Sequence, residues 1–171
     1  DKKSAENEDL KLHQYIPKEF FTTTDIRGLL IVHAMGMGKT RLAVAIAEYY
    51  SENDPYRKIN ILLPKSLENN FRKNILDYSK KENTYVESKY KFMSLNASNL
   101  YKKVETINLS DEEIKMEKHL GEFMEDITRK NSLNNSLLII DEAHNLFNGI
   151  TNGSKNAVKL YDLIINAKNL K

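Results

Sequence analysis

Apolar residues along this chain fall into two patterns, unbroken runs and stripes spaced three or four residues apart. Gly28 to His33 (Gly-Leu-Leu-Ile-Val-His), Lys58 to Leu63 and Leu137 to Ile140 are runs without polar alternation, which predicts strands covered on both faces. Tyr90 to Ser94 is a further strand candidate. Helical stripes lie between them. Lys11 to Phe21 predicts a short helix, and Thr40 to Tyr50 predicts another, with Leu42, Ala43, Ile46 and Ala47 on one side. The turn Asn53-Asp54-Pro55 closes it, and Pro64 stops the strand that follows. Ser66 is placed to cap a helix carrying Leu67, Phe71 and Ile75. Ala97 to Thr106 reads as helix. Ser110-Asp111-Glu112-Glu113 matches a capping box ahead of the stripe Met116, Leu120, Phe123 and Ile127. Asn156 to Ala167, with Ala157, Tyr161, Ile164 and Ile165, predicts the last helix.

Strands alternating with helices predict an α/β fold, a mostly parallel sheet with helices on both faces and a ligand site at the carboxyl ends of the strands. A chain of 171 residues is about one domain long. Residues 1–10 carry a polar, charged sequence that predicts a flexible tail, leaving 11–171 as one globular unit.

The connection after the first apolar run changes the picture from fold to chemistry. His33-Ala34-Met35-Gly36-Met37-Gly38-Lys39-Thr40 joins a strand candidate to a helix candidate through a glycine-rich loop ending Gly-Lys-Thr. Gly36 and Gly38 allow the backbone to curl so that successive N–H groups converge on an anion. Lys39 can reach the outer phosphates of a nucleotide, and the Thr40 hydroxyl can ligate Mg²⁺. A hundred residues on, the run Leu137 to Ile140 ends in Asp141-Glu142-Ala143-His144. Two acids at the end of a buried strand suit Mg²⁺ positioning by Asp141 and activation of the attacking water by Glu142. The catalytic candidates are therefore Lys39 and Glu142, the metal candidates Thr40 and Asp141, and the phosphate-binding stretch His33 to Arg41. His144 could cap a helix or link the nucleotide to another surface.

Composition narrows the classes. No apolar run approaches the ~20 residues that a membrane helix needs. With no cysteine, disulfides, thiolate zinc sites and thiol catalysis drop out. The net charge is only +2, but it is segregated: residues 55–103 hold 11 Lys/Arg against 4 Asp/Glu, and residues 105–142 hold 4 against 10. A basic stretch beside an acidic one fits an anionic polymer lying over part of the domain.

The two motifs together resemble those of the superfamily 2 helicase-like ATPases, P-loop NTPases whose fold is a pair of RecA-like lobes. The resemblance covers nearly the whole chain and implies ATP and Mg²⁺ as cofactors. It also implies that Gln14, in Leu12-His13-Gln14, reads the adenine edge, and that Pro64, Lys65 and Ser66 touch a nucleic-acid backbone. His144 would couple the nucleotide to that surface. Finer features, Arg27 to His33, Ser94 to Asn99 and Asp141 to Asn148, are similar to helicase-like proteins of large DNA viruses of the poxvirus nucleoside triphosphatase and early transcription factor type. His33 stands where the general loop pattern has glycine. The resemblance implies a DNA- or RNA-dependent ATPase, a second RecA-like lobe in the same full-length chain, an association with viral transcription machinery, and action in a virion or a viral factory of the host cytoplasm, with no membrane. The first lobe by itself is expected to hydrolyse ATP weakly or not at all, since the second lobe supplies an arginine to the transition state. Two other readings fit the same residues: a non-catalytic ATP-binding subunit of a transcription or packaging complex, and a different P-loop translocase such as a restriction-type motor.

Overall fold

The computed structural model describes residues 10–95, 97, 100–112 and 131–171. The tail predicted for 1–10 lies outside them except for Leu10, as does the stripe Met116 to Ile127.

Three strands form a parallel sheet: β1 (Lys58–Leu63), β2 (Tyr90–Ser94) and β3 (Ser136–Ile140), in the order β2-β1-β3. β1 is central, and Ile59, Ile61, Leu62 and Leu63 are all at most 1% exposed, as the unbroken apolar run requires. Alternation along β1 divides the interior in two. Ile59, Ile61 and Leu63 face one core with α2 (Lys39–Asn53), α3 (Glu68–Ser79) and α4 (Asn83–Lys89). Leu62 faces the other, with Met93, α5 (Leu100–Thr106), α6 (His144–Thr151) and α7 (Lys155–Asn166). Helices thus cover both faces, as predicted. α1 (Leu12–Thr23) leans on α2 and contributes Phe21 to the first core.

The helix that carries the Gly-Lys-Thr motif is firmly seated. Leu42, Val44, Ala45 and Ala47 of α2 are at most 1% exposed. Glu48, on the same helix and 2% exposed, accepts hydrogen bonds from the hydroxyls of Tyr85 and Tyr90, with Lys81 Nζ 3.6 Å away. A buried carboxylate with three partners is an anchor, because losing any one would strand a desolvated charge. Burial first, and then the Glu48 charge, push the Tyr90 hydroxyl well above the ordinary phenol range, so it stays a donor.

Two predictions about local structure are corrected. Gly28–His33 forms no strand. A strand exists only where a ladder partner lies beside it, and β3 pairs on one side with β1 and on the other only with Lys171, whose N–H donates to Ser136 and whose carbonyl accepts from Leu138. A cleft therefore separates Gly28–His33 from β3, and Leu30 and Val32 remain 67% and 85% exposed. The segment is held from its start, where Arg27 donates to the carbonyls of Ile164, Ile165 and Ala167 and neutralises the C-terminal end of α7. Ser66 does not cap a helix: it sits in a 3₁₀ turn, Lys65–Leu67, and α3 begins at Glu68 without a side-chain cap.

Candidate nucleotide-binding site

Both motifs open onto the cleft between Gly28–His33 and β3, a cavity of about 810 Å³ that runs along β3 between apolar walls and ends at the carboxyl edge of the sheet among His33, Lys39, Thr40, Asp141, Glu142 and His144. Their juxtaposition follows from topology. The Gly-Lys-Thr segment starts α2, which packs on the sheet, and Asp141 continues β3 by donating its N–H to Leu62 O at 2.8 Å. Strand register pairs Leu62 with Ile140, so the residues after β1 emerge on the same edge.

The loop is built around two left-handed glycines, Gly36 (φ 78°) and Gly38 (φ 77°). Gly38 is the N-cap of α2; its positive φ strains any residue with a Cβ, and a Cβ there would also push Gln14 Nε2, now 2.3 Å away, out of its place. A 15-residue helix beginning at Lys39 leaves its first N–H groups free and its positive dipole end directed at the loop. Lys39 Nζ rests 3.4 Å from His33 O, a weak contact for an ammonium. Ala34, Met35 and Met37 form the exposed rim, with Met35 almost fully solvated. Arg41, by contrast, lies with its guanidinium 4.6 Å above the Tyr78 ring and does not line the cavity.

Across the cavity, burial raises the Asp141 carboxyl above its ordinary value and the Glu142 charge adds to the rise, while the Glu142 N–H and the Lys39 ammonium pull it down. The Glu142 N–H donates to Asp141 Oδ1 at 3.0 Å. Glu142 itself is left-handed (φ 57°), a strained state for a residue with a Cβ and one that collects at functional sites. Its Oε2 is 3.2 Å from His144 Nδ1. His144 is the first residue of α6 and holds Glu142, so it neither caps by its side chain nor stands alone.

Two acids and a hydroxyl that line one cavity are a set of hard oxygen donors. Among the described residues no three His, Cys, Asp or Glu side chains form a metal cage. Hard oxygen donors of this kind could hold Mg²⁺, which keeps water and phosphate oxygens as most of its ligands. One consequence can be measured without nucleotide. Below the ordinary aspartate range both folded and unfolded chains carry the Asp141 proton, and the destabilisation develops as pH rises from there through the raised native value, so it is larger at neutral pH than in acid. Asp141→Asn is expected to raise the melting temperature by about 2 °C at pH 7 and not at pH 3, and to abolish any stabilisation by added Mg²⁺, in thermal denaturation followed by circular dichroism.

Sequence reasoning missed His13. Its Nε2 donates to Met37 O at 2.9 Å and its ring lies edge-on to His33, 5.6 Å between centroids. Its position next to Gln14 was the one available signal. Pro64, Lys65 and Ser66 sit where β1 ends, on the cavity edge of the sheet, with the Lys65 side chain 76% exposed and paired to Glu68 at 2.6 Å. Hydrogen bonds from Lys65 first, and from Arg72, hold the Glu68 carboxyl below its ordinary value despite partial burial. Part of the basic stretch is structural: Lys58 and Lys91 donate to the carbonyls of Asn108 and Ile107, just past α5.

Residues 8–170 match the family model described as "Type III restriction enzyme, res subunit". The chain belongs to this family. Within it, the res-subunit domain is a RecA-like P-loop fold of helicase-like ATPases, in agreement with the parallel sheet and loop described above. The chain is 36% identical over 158 residues to a "Termination factor NPH-I homolog" of African swine fever virus, covering 85% of this chain and 19% of that protein. It is 32% identical over 142 residues to a "Putative ATP-dependent RNA helicase" of Acanthamoeba polyphaga mimivirus, covering 77% and 24%. With a "Putative helicase" of Invertebrate iridescent virus 3 it shares 33% over 150 residues, covering 81% and 15%. The res-subunit domain thus spans less than a quarter of the length of these relatives. The resemblance to helicase-like proteins of large DNA viruses stands. Among the described residues no helix is long and apolar enough to cross a membrane.

Proposed function

We propose that the cavity binds Mg²⁺·ATP and that the domain serves as the first RecA-like lobe of a DNA- or RNA-dependent ATPase, converting hydrolysis into movement on the strand. The observation that carries this reading is the convergence of Lys39, Thr40, Asp141 and Glu142 on one cavity from segments a hundred residues apart. In it, the free N–H groups at the start of α2 and the Lys39 ammonium take the phosphates. Thr40 and Asp141 would hold Mg²⁺, whose contribution is to neutralise charge on the β- and γ-oxygens. Glu142 orients and deprotonates the attacking water.

The names of the relatives, helicase and termination factor, support a nucleic-acid partner, and their viral sources agree with the proposed place in viral transcription. A second lobe of the same architecture would add the arginine that the transition state needs. The exposed Lys65, beside the 3₁₀ turn on the cavity edge, is the positioned contact for a strand backbone, and Pro64 and Ser66 frame it. The test is steady-state ATP hydrolysis by the full-length protein, second lobe included, with and without single-stranded DNA or RNA. Stimulation by one of them is expected. Lys65→Glu should weaken that stimulation about tenfold in nucleic-acid concentration while leaving unstimulated turnover alone. Tight ATP binding without turnover under either nucleic acid would leave an ATP-regulated binding subunit instead.

A further inference from the structure

The start of α1 grips the phosphate loop. Gln14 is 5% exposed, unusual for a glutamine, and its carboxamide is fully engaged. Oε1 accepts from Lys11 N at 2.9 Å, closing the first turn of α1, while Nε2 donates to Gly38 O at 3.0 Å and to Met37 O at 3.5 Å. His13 Nε2 donates to the same Met37 carbonyl at 2.9 Å. These contacts fall on two consecutive peptide units of the loop.

In a trans peptide the carbonyl and the following N–H point in opposite directions. Holding the Met37 and Gly38 carbonyls against α1 therefore turns the N–H groups of Gly38 and Lys39 away from it. Those are among the donors that a phosphate at the start of α2 would use. The loop is matched to this grip, because only glycine at 38 leaves room for Gln14 Nε2. Resting on the nucleotide-binding reading above, we infer that His13 and Gln14 are positioning residues that pre-set the phosphate loop for a triphosphate of any base, with Gln14 bound to the loop backbone in place of an adenine edge.

The experiment separates base from phosphate. A fluorescent ATP analogue bound to the protein with Mg²⁺ is displaced by ATP, by GTP and by inorganic tripolyphosphate, for the wild type, His13→Ala and Gln14→Glu. Gln14→Glu keeps the acceptor for Lys11 N and removes both donors to the loop, at a cost in melting temperature because a buried carboxylate then faces two carbonyls, whereas His13 is only half-buried and His13→Ala should keep the wild-type melting temperature; affinities are compared well below both transitions. Each is expected to lose roughly three- to tenfold in affinity for ATP and tripolyphosphate alike, with the ATP-over-GTP ratio unchanged. Retained tripolyphosphate affinity together with a collapsed ATP-over-GTP ratio in Gln14→Glu would overturn the inference and make Gln14 the adenine reader. Unchanged affinity for all three competitors in both variants would overturn it as well. A wild-type protein that binds neither nucleotide nor tripolyphosphate defeats the nucleotide-binding reading itself, and the inference falls with it.

Discussion

In the full-length protein Lys39→Ala is expected to lower ATP turnover about 10²- to 10³-fold while leaving the fold as stable as before, or slightly more so. The asymmetry comes from where the lysine stands. It is the first residue of α2, at the positive end of a 15-residue helix dipole, where a cation is unfavourable unless an anion answers it. Its ammonium has the His33 carbonyl at 3.4 Å and the Asp141 charge across the cavity, neither of which fixes it. Removing it costs little packing and relieves the dipole. With triphosphate bound the balance reverses, because the ammonium then meets charge that grows on the outer phosphate oxygens as the bond breaks. Melting temperature and ATPase rate, measured on the same preparation, should move independently. Parallel loss of both would mean that Lys39 is a structural residue.

How much of this could be read in advance depended on whether an interaction is local. α2, β1, β2 and β3 stand where the apolar patterns placed them, within a few residues, because their periods match what the sheet buries. Pairing is different. Gly28–His33 has the composition of a covered strand, yet whether it becomes one is set by a neighbour that its own residues do not encode. α4 escaped notice because it is seven residues long and buries only Val86. α6 was hidden by Gly149, a residue that discourages helix, and the structure gives the reason for it: a Cβ there would come within 2.9 Å of Ala157, so glycine lets α6 approach α7. At the site, the meeting of Gly-Lys-Thr with Asp-Glu on one cavity was legible, since each follows or precedes an element that the apolar pattern marks. What Gln14 and His13 touch was not, because their partners are loop carbonyls, and backbone atoms leave no mark in a sequence.

Strain at Glu142 ties the acidic half of the site to its chemistry. A left-handed backbone at a residue with a Cβ costs on the order of 1–2 kcal/mol, and the structure sustains it right after Asp141, where β3 gives way to the turn before α6. That conformation sets the Glu142 N–H on Asp141 Oδ1 and its carboxylate near His144, so the two acids share one cavity from different directions.

Glu142→Gln should consequently separate binding from hydrolysis. The amide keeps the length of the side chain and can still bond His144 Nδ1 but cannot take a proton from water, so turnover is expected to fall about 10²- to 10⁴-fold. Binding should hold. Lys39, Thr40 and Asp141, the groups proposed to take the phosphates and Mg²⁺, are untouched by the substitution. The pattern to look for is a loss confined to kcat, with KM for ATP unchanged or lower, and bound ATP recovered intact after minutes of incubation with nucleic acid. His144→Ala then serves as the control for orientation: it should reduce kcat far less than Glu142→Gln, and in the double variant it should add little, since a positioning partner has nothing left to position. Wild-type turnover in Glu142→Gln would transfer the water-activating role to Asp141 or to a group outside this domain.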